Sequence, residues 1–133
     1  AAMRRLKIAA SRATSAISQW AASAALAGPQ ACIADFNRID AERRRVMMAG
    51  LDEMGFIYGR PKGAFYVFPN ASSVGLPAEE LCYLLLKEGR VLIFPGTAFG
   101  ESGSQYLRIS FLAPKEQLQE ALALMQRTLA QHI

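Results

Sequence analysis

The chain has 133 residues, of which 52% are hydrophobic and 20% charged, and its net charge is +4. That length and apolar content suit one domain with a sizeable core and exclude an intrinsically disordered chain. No apolar run approaches the roughly 18 residues that a membrane span requires, and no internal repeat or low-complexity tract is present.

Residues 3–27 read as one long helix. Alanine dominates it, and Ile8, Ile17, Trp20, Ala24 and Leu26 give it a broken apolar face. The excess charge sits here: Arg4, Arg5, Lys7 and Arg12 fall within residues 1–34 without an acid, and the other 11 basic residues balance the 11 acids of the remainder. A basic, Ser/Ala-rich, acid-poor start suits a transit peptide, a patch for nucleic acid or a membrane surface, or the exposed face of a helix that continues into further structure. The last reading is favoured, because the chain starts without methionine and already in helical register. Gly28-Pro29 then punctuates, and a second helix follows over about 30–54. Ile33 and Phe36 at one end and Met47, Leu51 and Met54 at the other are expected to pack, with the polar stretch Asp40–Arg45 solvated between them.

The pattern next switches to strands. Phe56-Ile57-Tyr58 is short, residues 59–63 signal a turn or bulge, and Ala64–Pro69 is apolar on both faces, as in a central or interface strand. Pro77 with Glu79 and Glu80 starts another helix, filled by Leu81, Leu84, Leu85 and Lys87 and ended by Gly89. A strand over Val91–Phe94, a Gly-rich loop over Pro95–Ser104 and a strand over Gln105–Phe111 follow. Pro114 opens a last helix with the stripe Leu118, Leu122, Met125 and Leu129. This order predicts an α+β domain of two layers, helices over one face of a small, mostly antiparallel sheet. Residues 1–28 are then a connecting helix and 29–133 the domain proper.

The residue types exclude much chemistry. His132, next to the end, is the only histidine, so there is no Ser-His-acid triad, no Cys-His pair and no His-rich metal site. Cys32 and Cys82 stand in unrelated contexts, with no CxxC pair or disulfide framework; they read as small hydrophobes in a reducing, cytoplasmic-type setting. The glycines at 96–103 lack dinucleotide-loop spacing and precede a strand. Aromatics are not interleaved with the basic helix or with Arg43-Arg44-Arg45, so a nucleic-acid partner is not expected. One charge is out of place. In Gln105–Phe111, Leu107, Ile109 and Phe111 share one face while Tyr106, Arg108 and Ser110 share the other, which sets Arg108 in mid-strand among mostly apolar neighbours. Periodicity alone leaves two readings: a solvent-facing or ion-paired structural arginine, or a planar fork for a carboxylate.

Three segments occur in order: Pro61-Lys-Gly-Ala-Phe-Tyr-Val-Phe-Pro69, Val91-Leu-Ile-Phe-Pro-Gly-Thr-Ala-Phe-Gly100 and Tyr106-Leu-Arg-Ile-Ser-Phe111. Together they resemble the C-terminal signature of class I/II aminotransferases, fold-type I enzymes that depend on pyridoxal phosphate, and Ala22–Pro29 resembles the helix end before that family's small domain. The resemblance covers essentially the whole chain. It implies that Arg108 binds the α-carboxylate of an amino-acid or 2-keto-acid substrate, that Phe65 stands at the substrate entrance, and that Pro95–Gly100 shapes the pocket mouth. Core packing remains open for Phe65, and a plain turn anchored by Phe99 remains open for the loop. Tyr66 belongs to the entrance or to a domain interface. The resemblance also implies pyridoxal phosphate in a longer homodimeric parent. None of Lys7, Lys62, Lys87 and Lys115 matches the context of the family's Schiff-base lysine, so the chain by itself is expected to hold no cofactor and to be inactive. The alternative is a stand-alone interaction module derived from the family.

Overall fold

The computed structural model describes residues 2–11 and 14–132. It divides into two compact units, Ala1–Phe36 and Asn37–Ile133.

The first unit contains helices α1 (Ala2–Ser11) and α2 (Ala16–Ala27) and the start of α3 (Ala31–Glu53). The single helix expected over residues 3–27 is therefore two. Thr14 and Ser15 are not helical; Ser15 lies at φ −51° and ψ 135°, ahead of the first turn of α2. Serine and threonine offer the backbone competing hydrogen bonds and favour such junctions. Arg12 lies outside the described residues. The break after α2 falls at Gly28, as expected, and its N–H closes the helix on Ala24 O at 2.9 Å. Ile33 and Phe36 were expected to pack, yet they are exposed, as is Cys32. No described residue of α1 or α2 is buried, and alanine-rich propensity accounts for these helices without a core.

The second unit is α+β. β1 (Ile57–Tyr58) pairs with β3 (Pro69–Asn70), and β2 (Tyr66–Val67), β5 (Leu107–Ser110) and β4 (Phe94–Pro95) form a sheet in that spatial order, every pairing antiparallel. A bridge from Asn70 to Tyr106 joins the two ladders. The inner face of β5 meets α3, α4 (Ala78–Lys87) and α5 (Lys115–His132): Leu107, Phe111, Leu51, Leu81, Leu85 and Met125 are almost wholly buried together. Each such side chain contributes roughly 1.5–3 kcal/mol by leaving water. The expected stripe of α5, Leu118, Leu122, Met125 and Leu129, is the face that packs.

Two strands differ from expectation. The one expected over Ala64–Pro69 is split into β2 and β3 around Phe68, and it starts late because Ala64 takes a left-handed φ of 55°. The one expected over Val91–Phe94 pairs only from Phe94. Arg90 also has φ 55°, and the Val91 N–H donates to Leu85 O at 2.9 Å, so this segment closes the end of α4 before joining the sheet. Cys82 is buried in α4, and burial pushes its thiol up to about 11.

The polar middle of α3 does more than face water. Arg43 pairs with Asp40 at 3.3 Å, Arg44 donates to Pro61 O at 2.9 Å, and Lys115 donates to Glu42 at 2.7 Å, fastening α3 to the start of α5. The hydrogen bond and charge of Lys115 hold the Glu42 carboxyl below its ordinary 4.5, and Glu42 holds the Lys115 ammonium above its ordinary 10.5. A lowered acid stabilises the fold above its unfolded value and loses that contribution as pH falls through the folded one; a raised base does the reverse. The pair therefore works fully between those two ordinary values. Glu42→Gln is expected to lower the thermal midpoint at neutral pH and to change it little near about pH 2, where the carboxyl is protonated in both proteins; melting curves at the two pH values check this.

Candidate functional site

Arg108 stands at the centre of the three-stranded sheet, on the outer face of β5. Its neighbours on that strand, Leu107 and Ile109, point into the core, while Arg108 itself is half-buried. Phe94 of β4 is its direct partner across the ladder, and Tyr66 of β2 is paired with Ser110, two residues along the same face. The guanidinium carbon lies 3.7 Å from the Tyr66 ring centre and 4.2 Å from that of Phe99. Both separations are within cation–π range. Both rings thus lie against the same cation, and Phe99 also meets Phe68 edge-on at 6.4 Å. Among the described residues no hydrogen bond or ion pair holds the Arg108 side chain. The structural ion pair left open by periodicity is thus not what is found.

Phe99 reaches this position through its loop. Residues 96–99 and 101–103 form two tight turns. The Gly96 N–H donates to Tyr106 O at 2.7 Å, and a Cβ on Gly96 would stand 2.3 Å from Gly103 O. Gly100 has φ 132°, which side chains rarely adopt. Two strands of loop backbone touch, and only glycine permits the contact. Phe99 itself is 51% exposed. It does not anchor the loop to the core, as one reading of the sequence has it; it leans on the guanidinium.

Beside Arg108 is an open hollow of about 750 Å³, lined by Tyr66, Leu92, Phe94, Ser110 and Glu120 among others. Glu120 forms no ion pair with Arg108 among the described residues. Phe65 is elsewhere: it lines a smaller hollow with Asp40, Arg44, Gly63 and Phe111, and its ring meets that of Tyr66, 4.5 Å away centre to centre. The structure thus brings together Arg108, Tyr66 and Phe99, and leaves Phe65 one residue removed. Phe94 and Phe68, which the motif segments contain but to which the sequence reading gives no site role, add to the aromatic surface. The ladder register of β4 and β5 would have identified Phe94, but it was not available from periodicity.

A protein-family model described as "Aminotransferase class I and II" matches residues 1–124. An aromatic-amino-acid aminotransferase of Thermococcus litoralis is 38% identical over 113 residues, which are 84% of this chain and 29% of that protein. An aspartate aminotransferase of Pyrococcus abyssi is 42% identical over 87 residues, 65% of this chain and 22% of that one. The crystal structure of an aromatic aminotransferase from Pyrococcus horikoshii superposes with a TM-score of 0.89 at 34% identity, covering 96% of this chain and 35% of that one. The chain therefore spans less than a third of the length of the two curated relatives and about a third of the solved one.

A pyridoxal-phosphate site needs an amine for the cofactor's aldehyde and an acid against its ring nitrogen. Among the described residues no lysine and no aspartate lines the Arg108 hollow. Lys115 is engaged by Glu42, Lys62 lines the hollow of Phe65, Lys87 closes α4, and Lys7 is exposed on α1. These residues do not fit a covalent hold on the cofactor. Arg108, by contrast, is a cation set against two aromatic rings beside a hollow. Among the described residues no group of three His, Cys, Asp or Glu side chains is placed to hold a metal, and no helix is long and apolar enough to cross a membrane.

Gly96→Ala is expected to push the loop backbones apart, costing about 1–3 kcal/mol and withdrawing Phe99 from Arg108. Urea unfolding measures the first effect, and the loss of ring-current shifts on the Arg108 side-chain protons measures the second.

Proposed function

The chain belongs to the class I and II aminotransferase family, and from that premise we propose that it is the C-terminal small-domain segment of a pyridoxal-phosphate-dependent enzyme. That enzyme moves an amino group between an amino acid and a 2-keto acid, and Arg108 grips the substrate's α-carboxylate. The observation that carries this reading is a mid-strand guanidinium facing a hollow, with no carboxylate of the described residues to satisfy it. A guanidinium presents its N–H donors in one plane, matched to the two oxygens of a carboxylate. Such a pairing fixes the orientation of the substrate relative to the reacting centre and transfers no proton. The relatives named above act on aromatic amino acids and on aspartate by their names; the α-carboxylate is what these donors share, and Arg108 addresses that shared group.

Phe65 contributes in this proposal by backing the Tyr66 ring rather than by meeting substrate. The covalent hold on the cofactor falls to residues outside this chain, and the 133-residue chain alone is inactive. A homodimeric, cytoplasmic parent belongs to the same proposal, with the family as its support.

In the longer enzyme, Arg108→Ala is expected to raise the KM for amino acids at least about tenfold while the absorbance of bound cofactor persists. An unchanged KM removes the carboxylate role. The chain alone, mixed with an equimolar amount of pyridoxal phosphate and treated with borohydride, is expected to show no stoichiometric adduct at any single lysine by mass spectrometry. One fully modified lysine overturns the assignment of the cofactor site to other residues.

A further inference from the structure

An arginine that recognises a planar anion usually has its own orientation set by a hydrogen-bonded neighbour. Arg108 has none among the described residues, and what lies against it instead are two aromatic rings: Tyr66 from β2 at 3.7 Å and Phe99 from the glycine-rich loop at 4.2 Å. We infer that Tyr66 and Phe99 are positioning residues for substrate binding, clamping the guanidinium between them so that its edge, and not its faces, meets the carboxylate.

The inference rests on the carboxylate-binding reading of Arg108 and adds to it a cause for that residue's affinity. The faces of a guanidinium are weakly hydrated and stack readily on rings, whereas the in-plane N–H groups carry its hydrogen-bonding capacity. Rings on both sides therefore cost the arginine little solvation and leave its donors unspent. The arginine side chain is long and rich in rotamers, so a free one loses conformational freedom when a ligand is gripped. One already held by rings loses less, and affinity rises accordingly. The face of each ring is also electron-rich, which favours the cation in this position.

The loop exists in the form needed for this. Contact between the backbones of Gly96 and Gly103, with the unusual φ of Gly100, delivers Phe99 over the cation while leaving its outer side exposed. Phe68 supports Phe99 edge-on, and Phe65 supports Tyr66. Each clamp ring thus has a backing ring.

The test compares variants of the longer enzyme in steady-state kinetics, with amino acid as the varied substrate. Phe99→Leu and Tyr66→Leu keep apolar bulk and remove the aromatic face; Phe99→Tyr and Tyr66→Phe keep the face. The leucine variants are expected to raise KM about threefold to tenfold with kcat within about twofold, and the aromatic variants to stay within about twofold of the wild type. Two positions are tested because either one alone can lose folding, which thermal melts detect. If Arg108→Lys raises KM but neither leucine variant does, the clamp is overturned and the carboxylate role survives. If Arg108→Lys leaves KM unchanged, the carboxylate role fails and the clamp fails with it. Equal effects of leucine and aromatic replacements, or effects confined to kcat, also overturn the clamp.

Discussion

Strand β5 with the residue after it buries Leu107, Ile109 and Phe111 on one side and carries Arg108 on the other, and these two halves depend on each other. The apolar half packs the strand against α3, α4 and α5, so the backbone at residue 108 is held by the core beneath it. The charged half cannot follow its neighbours inward, because an unpaired buried guanidinium costs far more than a methylene gains. A one-residue slip of register would exchange the faces and bury the charge. Burial of the three apolar side chains therefore also holds Arg108 facing outward.

Three segments far apart in sequence meet at that arginine. β2 and β4 flank β5, bringing Tyr66 and Phe94 to the same face, and the loop after β4 folds back to add Phe99. None of these rings is deeply buried, and each has a polar or charged neighbour. That balance suits a binding surface better than a core, where aromatic rings pack against aliphatic ones. It also explains the loop's composition. The glycines are there because two stretches of backbone approach closer than any side chain allows, and the approach decides where Phe99 ends up.

The first unit obeys different physics. Its helices follow from alanine content, since none of the described residues of α1 and α2 is buried. Trp20 and Leu26 are about as exposed as in an isolated peptide, at 80% and 83%. Propensity is a local property, so the helical character of this region was readable in the sequence. The break at Thr14 and Ser15 was not foreseen, because a run of alanine outweighs two polar residues in a window average while the backbone responds to each residue singly.

Much of the second unit was legible for the same reason. The alternation in residues 105–111 and the stripe of α5 are periodic patterns, and burial follows period. Residues 91–93 depart from the expected strand because their apolar character suits a strand equally well as a helix-closing turn, and the hydrogen bond from Val91 to Leu85 selects the turn. The α+β class, the outward face of Arg108 and the family resemblance were within reach of the amino-acid sequence, since each depends on residues close together or on motifs read in order. Which rings touch the guanidinium, and that Phe65 sits in a different hollow from Arg108, depended on strand register and on the loop's return. Those are contacts between segments distant in the chain, and only the folded backbone sets their distances.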